Sequence, residues 1–420
     1  MLHYFKRYLQ TSAYYCIPLI IIISWWALAF GPNKEPPSSS PVIPPAVSFS
    51  SPPLITFLSP LERHTIHAAL NGDFDLMIKL ITDWDHDAQI IEKYGFMHVK
   101  KLTREDFLRS QLIARKLKSG DDLSSFNDTV RQAIFDDTGK LFDLSKSYRR
   151  FLPQSYIAAS FLFALSKPEE IVALPRGMRE QTFLYPIEKI NCVALDTDRY
   201  NTEKLYEAQP DIAFVADYSH PSTIEALQKQ GIPLFTLKCI NSPEEIRHAL
   251  LRVGTIVNRP LEAELLNYFV EAAMQAIDNR FKVLNAHFNS SNSSAKVLFL
   301  KHHLTFSTPT SHTLTGKLLK RIGIEELQGD KIAQNTFAWN IPIRQEQIIE
   351  LSPDYIIIST NSMDPMRTQL LKNSISYLML KNPPKSIAFV HDSIQESPSQ
   401  YIVLAYYDLY RALTDAEYIP

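Results

Sequence analysis

The feature that most constrains the fold is a short pattern that occurs twice, 143 residues apart. Its first copy runs through Gln209-Pro210-Asp211 into the apolar stretch Ile212–Val215, and its second runs through Ser352-Pro353-Asp354 into Tyr355–Ile358. Proline ends the preceding helix because it disfavours the helical conformation in the residue before it, and aspartate favours a turn. The apolar run predicts a strand buried on both faces of a parallel sheet. Two such units in the same phase indicate two α/β lobes.

Further apolar runs extend this scheme into an α/β fold class with two Rossmann-like lobes, each built on a parallel sheet. The other predicted strands are Arg150–Leu152, Ile171–Leu174 and Pro233–Leu237 in the first half, and Lys296–Leu300 and Ser386–Val390 in the second. Between the halves, the stretch from Pro260 to about His287 contains no further Gly or Pro. It predicts one long backbone helix that starts at the proline.

The N-terminus predicts export. Lys6 and Arg7 precede an apolar run from Cys16 to Phe30, which is either the core of a signal peptide or a membrane anchor. Small residues around Ala29 favour cleavage, whereas Trp25 and Trp26 favour an uncleaved anchor. Both alternatives predict a periplasmic protein, either soluble or anchored to the inner membrane by residues 14–30.

The chain divides into segments of different composition. The predicted segments are a signal peptide or membrane anchor (1–30), a Pro/Ser-rich linker (31–60), a helical extension (61–128), an N-terminal α/β lobe (129–257), a connecting helix (258–288) and a C-terminal α/β lobe (289–420).

Composition excludes several classes of function. The net charge is −2, so no basic excess favours nucleic acid as a partner. The 11 glycines are spaced too widely for a dinucleotide-binding turn, a phosphate-binding P-loop or a nucleophile elbow. No nucleophile–base motif or metal-protease helix is present, so the sequence predicts that the protein is not an enzyme.

The ordered series of elements resembles a known family. The opening Phe135–Lys140 with Arg149–Leu152, the helix from Tyr156 to Leu165, the two Pro-Asp units and the long helix are similar to the ABC-transporter solute-binding proteins of the iron-siderophore, haem and vitamin B12 type, the helical-backbone class of periplasmic binding proteins. The resemblance covers about residues 130–417. It implies that the protein captures a ligand between its lobes and presents it to an inner-membrane ABC permease.

The resemblance also implies a docking glutamate on the first helix of each lobe. Ser160 and Lys317 stand at the matching positions. Loss of both acids weakens the expected pairing with permease arginines. This departure favours a further alternative, in which the chain is a membrane-tethered interaction module that has lost transport.

Ligands of open α/β sheets bind beyond the carboxyl ends of the strands. Guanidinium groups pair with carboxylates, and tyrosine can ligate ferric iron, so the side chains in those loops suit an iron chelate such as a ferric siderophore, haem or a corrinoid such as cobalamin. The predicted ligand-binding residues are Tyr156, Arg176, Arg179, Tyr185, Asp217, Tyr218, His302, Thr305 and Asn361.

The same loops allow a second interpretation, a receptor for a divalent zinc, manganese or iron ion. Imidazole and carboxylate groups are the ligands that such ions prefer. The residues predicted for this alternative are His220, His302, His303, His391 and Asp392. Neither interpretation requires a covalent cofactor.

Overall fold

The computed structural model describes residues 53–119, 134–142, 144–181, 183–197, 207–288, 296–324, 327–333 and 338–415. Pro52–Pro420 form one compact unit. The predicted signal peptide or anchor and most of the predicted linker lie outside the described residues. Within those ranges, no helix is both long enough and apolar enough to cross a membrane.

The end of the predicted linker is folded. Pro53–Phe57 form a 3-10 turn, and Leu54 and Leu58 pack in a small core with Ile91 and Val283. The linker therefore ends earlier than residue 60, because these two leucines supply apolar area to bury. The predicted extension follows as three helices, α1 (Arg63–Leu70), α2 (Phe74–Lys93) and α3 (Arg104–Ser119).

The N-terminal lobe alternates strands and helices. Its elements are β1 (Ile134–Phe135), β2 (Leu141–Phe142), β3 (Phe151–Pro153), α4 (Tyr156–Leu165), β4 (Ala173–Pro175), α5 (Ile187–Cys192), β5 (Leu195–Thr197), β6 (Ile212–Ala216), α6 (Pro221–Lys229), β7 (Leu234–Leu237) and α7 (Pro243–Ile256). The order β3-β6-β7 is parallel throughout, and β4 pairs in parallel with β5. A parallel bridge between Phe151 and Ile171 continues the sheet from β3 toward β4.

The C-terminal lobe follows the long helix α8 (Pro260–Phe288), which agrees with the predicted connecting helix. Its elements are β8 (Val297–His302), β9 (Phe306–Pro309), α9 (Leu314–Arg321), α10 (Gln328–Ala333), β10 (Asn340–Pro342), α11 (Gln345–Leu351), β11 (Tyr355–Thr360), α12 (Pro365–Leu378), β12 (Ser386–His391), α13 (Asp392–Gln395) and α14 (Ile402–Thr414). The sheet order is β10-β9-β8-β11-β12, with β8, β11 and β12 parallel and β9 antiparallel to both of its neighbours. The predicted α/β class with two lobes is confirmed.

The repeated Pro-Asp pattern performs the same structural task in both lobes. Asp211 accepts hydrogen bonds from the backbone N–H groups of Arg149 and Arg150, which lead into β3, at 3.0 and 3.1 Å. Asp354 accepts from the backbone N–H of Lys296, which leads into β8, at 2.9 Å. This bond is the main reason that the pKa of Asp354 is lowered. Each aspartate thus fixes the register between its own strand and the first parallel strand of the lobe.

The extension packs along α8. Trp84 of α2 stacks on Phe269 with ring centroids 5.5 Å apart. Arg109 of α3 donates from Nε and Nη2 to the two carboxylate oxygens of Glu264, at 2.9 and 3.0 Å. A forked pair and an aromatic stack fix orientation as well as contact area. The helix that joins the lobes is therefore covered along one side by the extension.

Candidate functional site

The carboxyl edges of the two sheets meet. Phe183, in the loop that follows β4, contacts His391, the last residue of β12, with ring centroids 3.9 Å apart. Because β4 belongs to the N-terminal lobe and β12 to the C-terminal lobe, this contact brings the loops beyond the strand ends of both lobes together. Ligands of parallel α/β sheets bind at this kind of edge. The side chains around this contact form the candidate site.

Phenol and charged groups follow the strands of the N-terminal lobe. Tyr156 lies just beyond β3, and its hydroxyl donates to the carbonyl of Arg176 at 2.6 Å. Partial burial raises the pKa of Tyr156, and Glu180 raises it further, so near neutral pH the hydroxyl is a hydrogen-bond donor. Asp217 and Tyr218 follow β6, and both are exposed, Tyr218 to 65%. The loops beyond these strand ends therefore offer aromatic surface together with charge.

Arg179 is bonded within its own lobe, although the sequence predicts that it contacts a ligand. Its Nε donates to both carboxylate oxygens of Asp196, at 2.8 and 2.9 Å. Its terminal nitrogens donate to the carbonyls of Ile190 and Val193. These bonds bind the guanidinium to β5 and to the end of α5 in its own lobe. The structure therefore gives Arg179 the role of holding the loop after β4, where the sequence predicts a ligand contact.

Tyr185 also lies away from the cleft wall. It is 1% exposed, accepts a hydrogen bond from Ser160 Oγ at 3.2 Å, and meets the ring of Tyr401 edge-on. Burial raises the pKa of Tyr185 well above its ordinary value, which opposes the phenolate expected of an iron ligand. Ser160 and Lys317 stand where the family resemblance implies docking glutamates. Ser160 is buried beside Tyr185, so a permease cannot reach it, and Lys317 is half-buried.

An ion-pair network forms the wall of the C-terminal lobe. Asp392, directly after β12, is buried and accepts a hydrogen bond from Ser359 Oγ at 2.9 Å. Its carboxylate lies 3.6 Å from Lys301 Nζ and 3.4 Å from His303 Nε2. Lys301 also pairs with Glu396. Because Lys301 and Ser359 are register partners on β8 and β11, the parallel sheet itself brings these groups together.

The remaining predicted residues of this lobe surround the network. His302 is half-buried beside Phe306, with ring centroids 5.0 Å apart. Burial lowers the pKa of His302, and the neighbouring His303 lowers it further, so the ring is neutral near pH 7. Thr305 and Asn361 are exposed. The loops of this lobe thus present a neutral imidazole and uncharged polar groups next to the carboxylate of Asp392, which is already paired with Lys301.

The residues predicted for a divalent metal do not form one group. His220 and His391 each accept, at Nδ1, a hydrogen bond at 3.3 Å from the backbone N–H two residues later, so each caps the helix that follows it. His303 and Asp392 form the one ion pair within the predicted set in the described part of the chain. Across the described ranges, no three His, Cys, Asp or Glu side chains are arranged to hold a metal ion.

Sequence reasoning missed a bridge between the lobes at the end of α1. The carbonyl of Asn71 accepts from Lys189 Nζ of the N-terminal lobe at 2.7 Å, and its Oδ1 accepts from the Tyr401 hydroxyl of the C-terminal lobe at 2.5 Å. Gln400 donates directly across to the carbonyl of Ser160 at 2.6 Å. The partners of Asn71 are 118 and 330 residues away in the chain, so no local pattern could have indicated this bridge.

Comparisons with known proteins agree with this architecture. A profile of the family described as "Periplasmic binding protein" matches residues 165–375, which is half of the chain. A structure described as a possible iron-binding, periplasmic solute-binding protein from Staphylococcus epidermidis is 17% identical, with a TM-score of 0.50, and the match covers 64% of this chain and 99% of that one. A periplasmic binding protein from Veillonella parvula is 18% identical, with a TM-score of 0.50 and coverages of 65% and 88%. At these identities the two structures support the fold alone. None of the curated protein sequences is a match for this chain.

Proposed function

Since this chain belongs to the periplasmic binding protein family, whose members bind solutes and are not enzymes, we propose that it captures an iron chelate, haem or a corrinoid in the interlobe cleft. In this proposal the loaded protein then presents the ligand to an ABC permease of the inner membrane. The observation that carries the proposal is the contact of Phe183 with His391, which brings together strand-end loops of different chemistry from the two lobes.

The chemistry of the two walls favours a large ligand over a bare ion. Tyr156 and Tyr218 offer exposed aromatic faces on one side, and Arg176, whose carbonyl accepts from the Tyr156 hydroxyl, is exposed there. His302 and Asn361 lie on the other side. Aromatic rings stack on flat ligands, and a guanidinium binds their carboxylates. The name of the Staphylococcus epidermidis structure, which describes a possible iron-binding protein, is consistent with such a ligand.

A divalent metal is the second candidate. The observation in its favour is the 3.4 Å pair of His303 and Asp392, with His302 adjacent in sequence. Against it, Asp392 already pairs with Lys301 and accepts from Ser359. A metal would have to displace the lysine, because a cationic ammonium and a divalent ion repel each other at this distance.

Ligand titration of the full chain tests the first candidate. We expect at least one of haem, ferrioxamine B and cyanocobalamin to bind. The change in ligand absorbance measures this binding. Tyr218→Ala should weaken that binding about tenfold, which corresponds to the loss of one stacked aromatic contact. Tyr94→Ala removes an equally exposed tyrosine from the extension and should leave binding unchanged.

Two outcomes would reject the chelate proposal. One is that none of the three ligands binds, and the other is that the Tyr218 and Tyr94 variants behave alike. Stoichiometric zinc in the purified protein that is lost in His303→Ala would instead establish the metal candidate.

A further inference from the structure

Helix α12 carries an apolar face that the rest of the described protein leaves uncovered. Met366, Leu370 and Tyr377 are between 57% and 74% exposed, and Leu380, just beyond the helix, is similarly exposed. A helix turns about 100° per residue, so the first three side chains lie within about 40° of one another around the axis. Ile375 points the other way and is buried in the core of the lobe. Asn373 lies between Leu370 and Tyr377 on the same face. Single exposed apolar residues are ordinary, but several large ones on one face of a helix mark an interaction surface.

Positive charge accompanies this face. The segment 365–385 contains four cationic residues and no acidic residue, the cations being Arg367, Lys372, Lys381 and Lys385. Lys385 is paired with Asp354 at 3.2 Å. Lys372 and Lys381 have no ion-pair partner within the described ranges. At 100° per residue, Arg367 falls on one flank of the apolar face, where it lies 3.9 Å from Asp364. Lys372 falls about 140° from the centre of the face and is half-buried, whereas Lys381, just beyond the helix, is exposed.

We propose that α12 is a peripheral membrane-binding helix that lies on the surface of an anionic phospholipid bilayer. Met366, Leu370 and Tyr377 enter the boundary between headgroups and acyl chains, and the exposed cations Arg367 and Lys381 contact lipid phosphates. An apolar face with Arg and Lys beside it is the pattern that binds in this way. Binding depends on both parts, because the cations attract the helix to the surface and the apolar side chains hold it there.

The charge argues against a second copy of this chain as the occupant of the face. Two copies facing each other through α12 would bring together two segments that each carry four cations and no acid. Like charges across an interface oppose association. An anionic lipid surface has the complementary charge, and it needs no shape complementarity to a narrow row of side chains.

Hydroxyl-radical footprinting of the ligand-free full chain tests this proposal, because methionine and tyrosine react in proportion to their exposure. The protein is footprinted alone, with vesicles of phosphatidylglycerol and phosphatidylcholine, and with vesicles of phosphatidylcholine only. We expect oxidation of Met366 and Tyr377 to fall about fivefold with the anionic vesicles alone, and to recover in high salt. Met97 and Tyr94, a comparably exposed pair on the extension, are the internal control and should not change.

A charge variant separates the two parts of the mechanism. Arg367→Glu with Lys381→Glu leaves the apolar row intact and should abolish the protection, while its circular dichroism stays that of the parent protein. The proposal is overturned if Met366 and Tyr377 remain fully reactive with anionic vesicles, or if both vesicle types protect them equally. Protection that grows with protein concentration when no vesicles are present would overturn it as well, in favour of self-association.

Discussion

The ion pair of Arg280 on α8 with Asp87 on α2 provides the sharpest test of how the extension is held. The two side chains are 5% and 6% exposed, and Arg280 Nη2 donates to Asp87 Oδ2 at 2.8 Å. Asp87 also accepts from the backbone N–H and the hydroxyl of Ser59, each at 3.0 Å. One carboxylate thus joins the long helix, the extension and the turn that precedes α1.

The substitution Asp87→Asn removes the charge and keeps the shape. Arg280 then stays buried without a counterion, and the loss of one partner of a buried pair costs about 3–5 kcal/mol. Asp75→Asn is the matched control on the same helix, because Asp75 and its partner Lys118 are largely exposed. An exposed pair contributes less than about 1 kcal/mol, even with a favourable position in the first helical turn.

Urea unfolding followed by circular dichroism measures both free energies of unfolding. We expect Asp87→Asn to lose at least about 3 kcal/mol, and Asp75→Asn to remain close to the parent protein. Adding Arg280→Met to Asp87→Asn should restore part of the loss, because no unpaired charge is then buried. Equal, small losses in the two single variants would refute the argument that this buried pair holds the extension against α8.

Two further predictions concern contacts around α1. Gly72→Ala should destabilise the protein by at least about 2 kcal/mol, because φ is +96° and the added Cβ would lie 2.5 Å from the carbonyl oxygen of Ala164. Gly95→Ala is the control, with φ +87° and open space around it, and should cost less in the same unfolding assay. Equal costs would contradict the steric argument. Burial lowers the pKa of His67, although its bond to the Leu184 carbonyl opposes the shift. The free energy of unfolding should therefore fall as the pH drops below about 6.5, which is the pKa of histidine in the unfolded chain. His67→Gln should reduce this fall, and an equal fall in the variant would contradict its assignment to His67.

The lobes could be predicted from the sequence because their signals are local and repeated. The pattern around Asp211 and Asp354 predicted two parallel strands, and each aspartate bonds to the backbone just before the neighbouring strand. The strands β9 and β10 escaped prediction. Phe306–Pro309 and Asn340–Pro342 are short, and each gains its strand conformation from an antiparallel neighbour at the edge of the sheet. Strands that form through such pairing need not show the alternation of apolar and polar residues by which strands are predicted from sequence.

For the candidate site, the sequence could predict which side chains are exposed near strand ends. The rule that ligands bind beyond strand ends selected Tyr218 and Asn361, which are exposed and follow their strands within three residues, and their contact with a ligand stays a prediction. Arg179 and Tyr185 lie further along the loop after β4, where contacts with Asp196 and Tyr401 decide the path of the chain. The strand end fixes where a loop begins, but tertiary contacts determine which of its later side chains face the cleft.

The bridge at Asn71 constrains how a ligand can enter. Its bonds to Lys189 and Tyr401 tie the two lobes together, and Gln400 ties them again through Ser160. A hinge motion that opened the cleft widely would break at least two of these bonds and leave their partners buried. Each unsatisfied buried group costs about 1–3 kcal/mol, so an open form lies about 2 kcal/mol or more above the structure and holds at most about three molecules in a hundred. If the proposed ligand is large, we therefore expect it to bind from the outer edge of the interface between the lobes, where aromatic side chains such as Tyr218 are exposed.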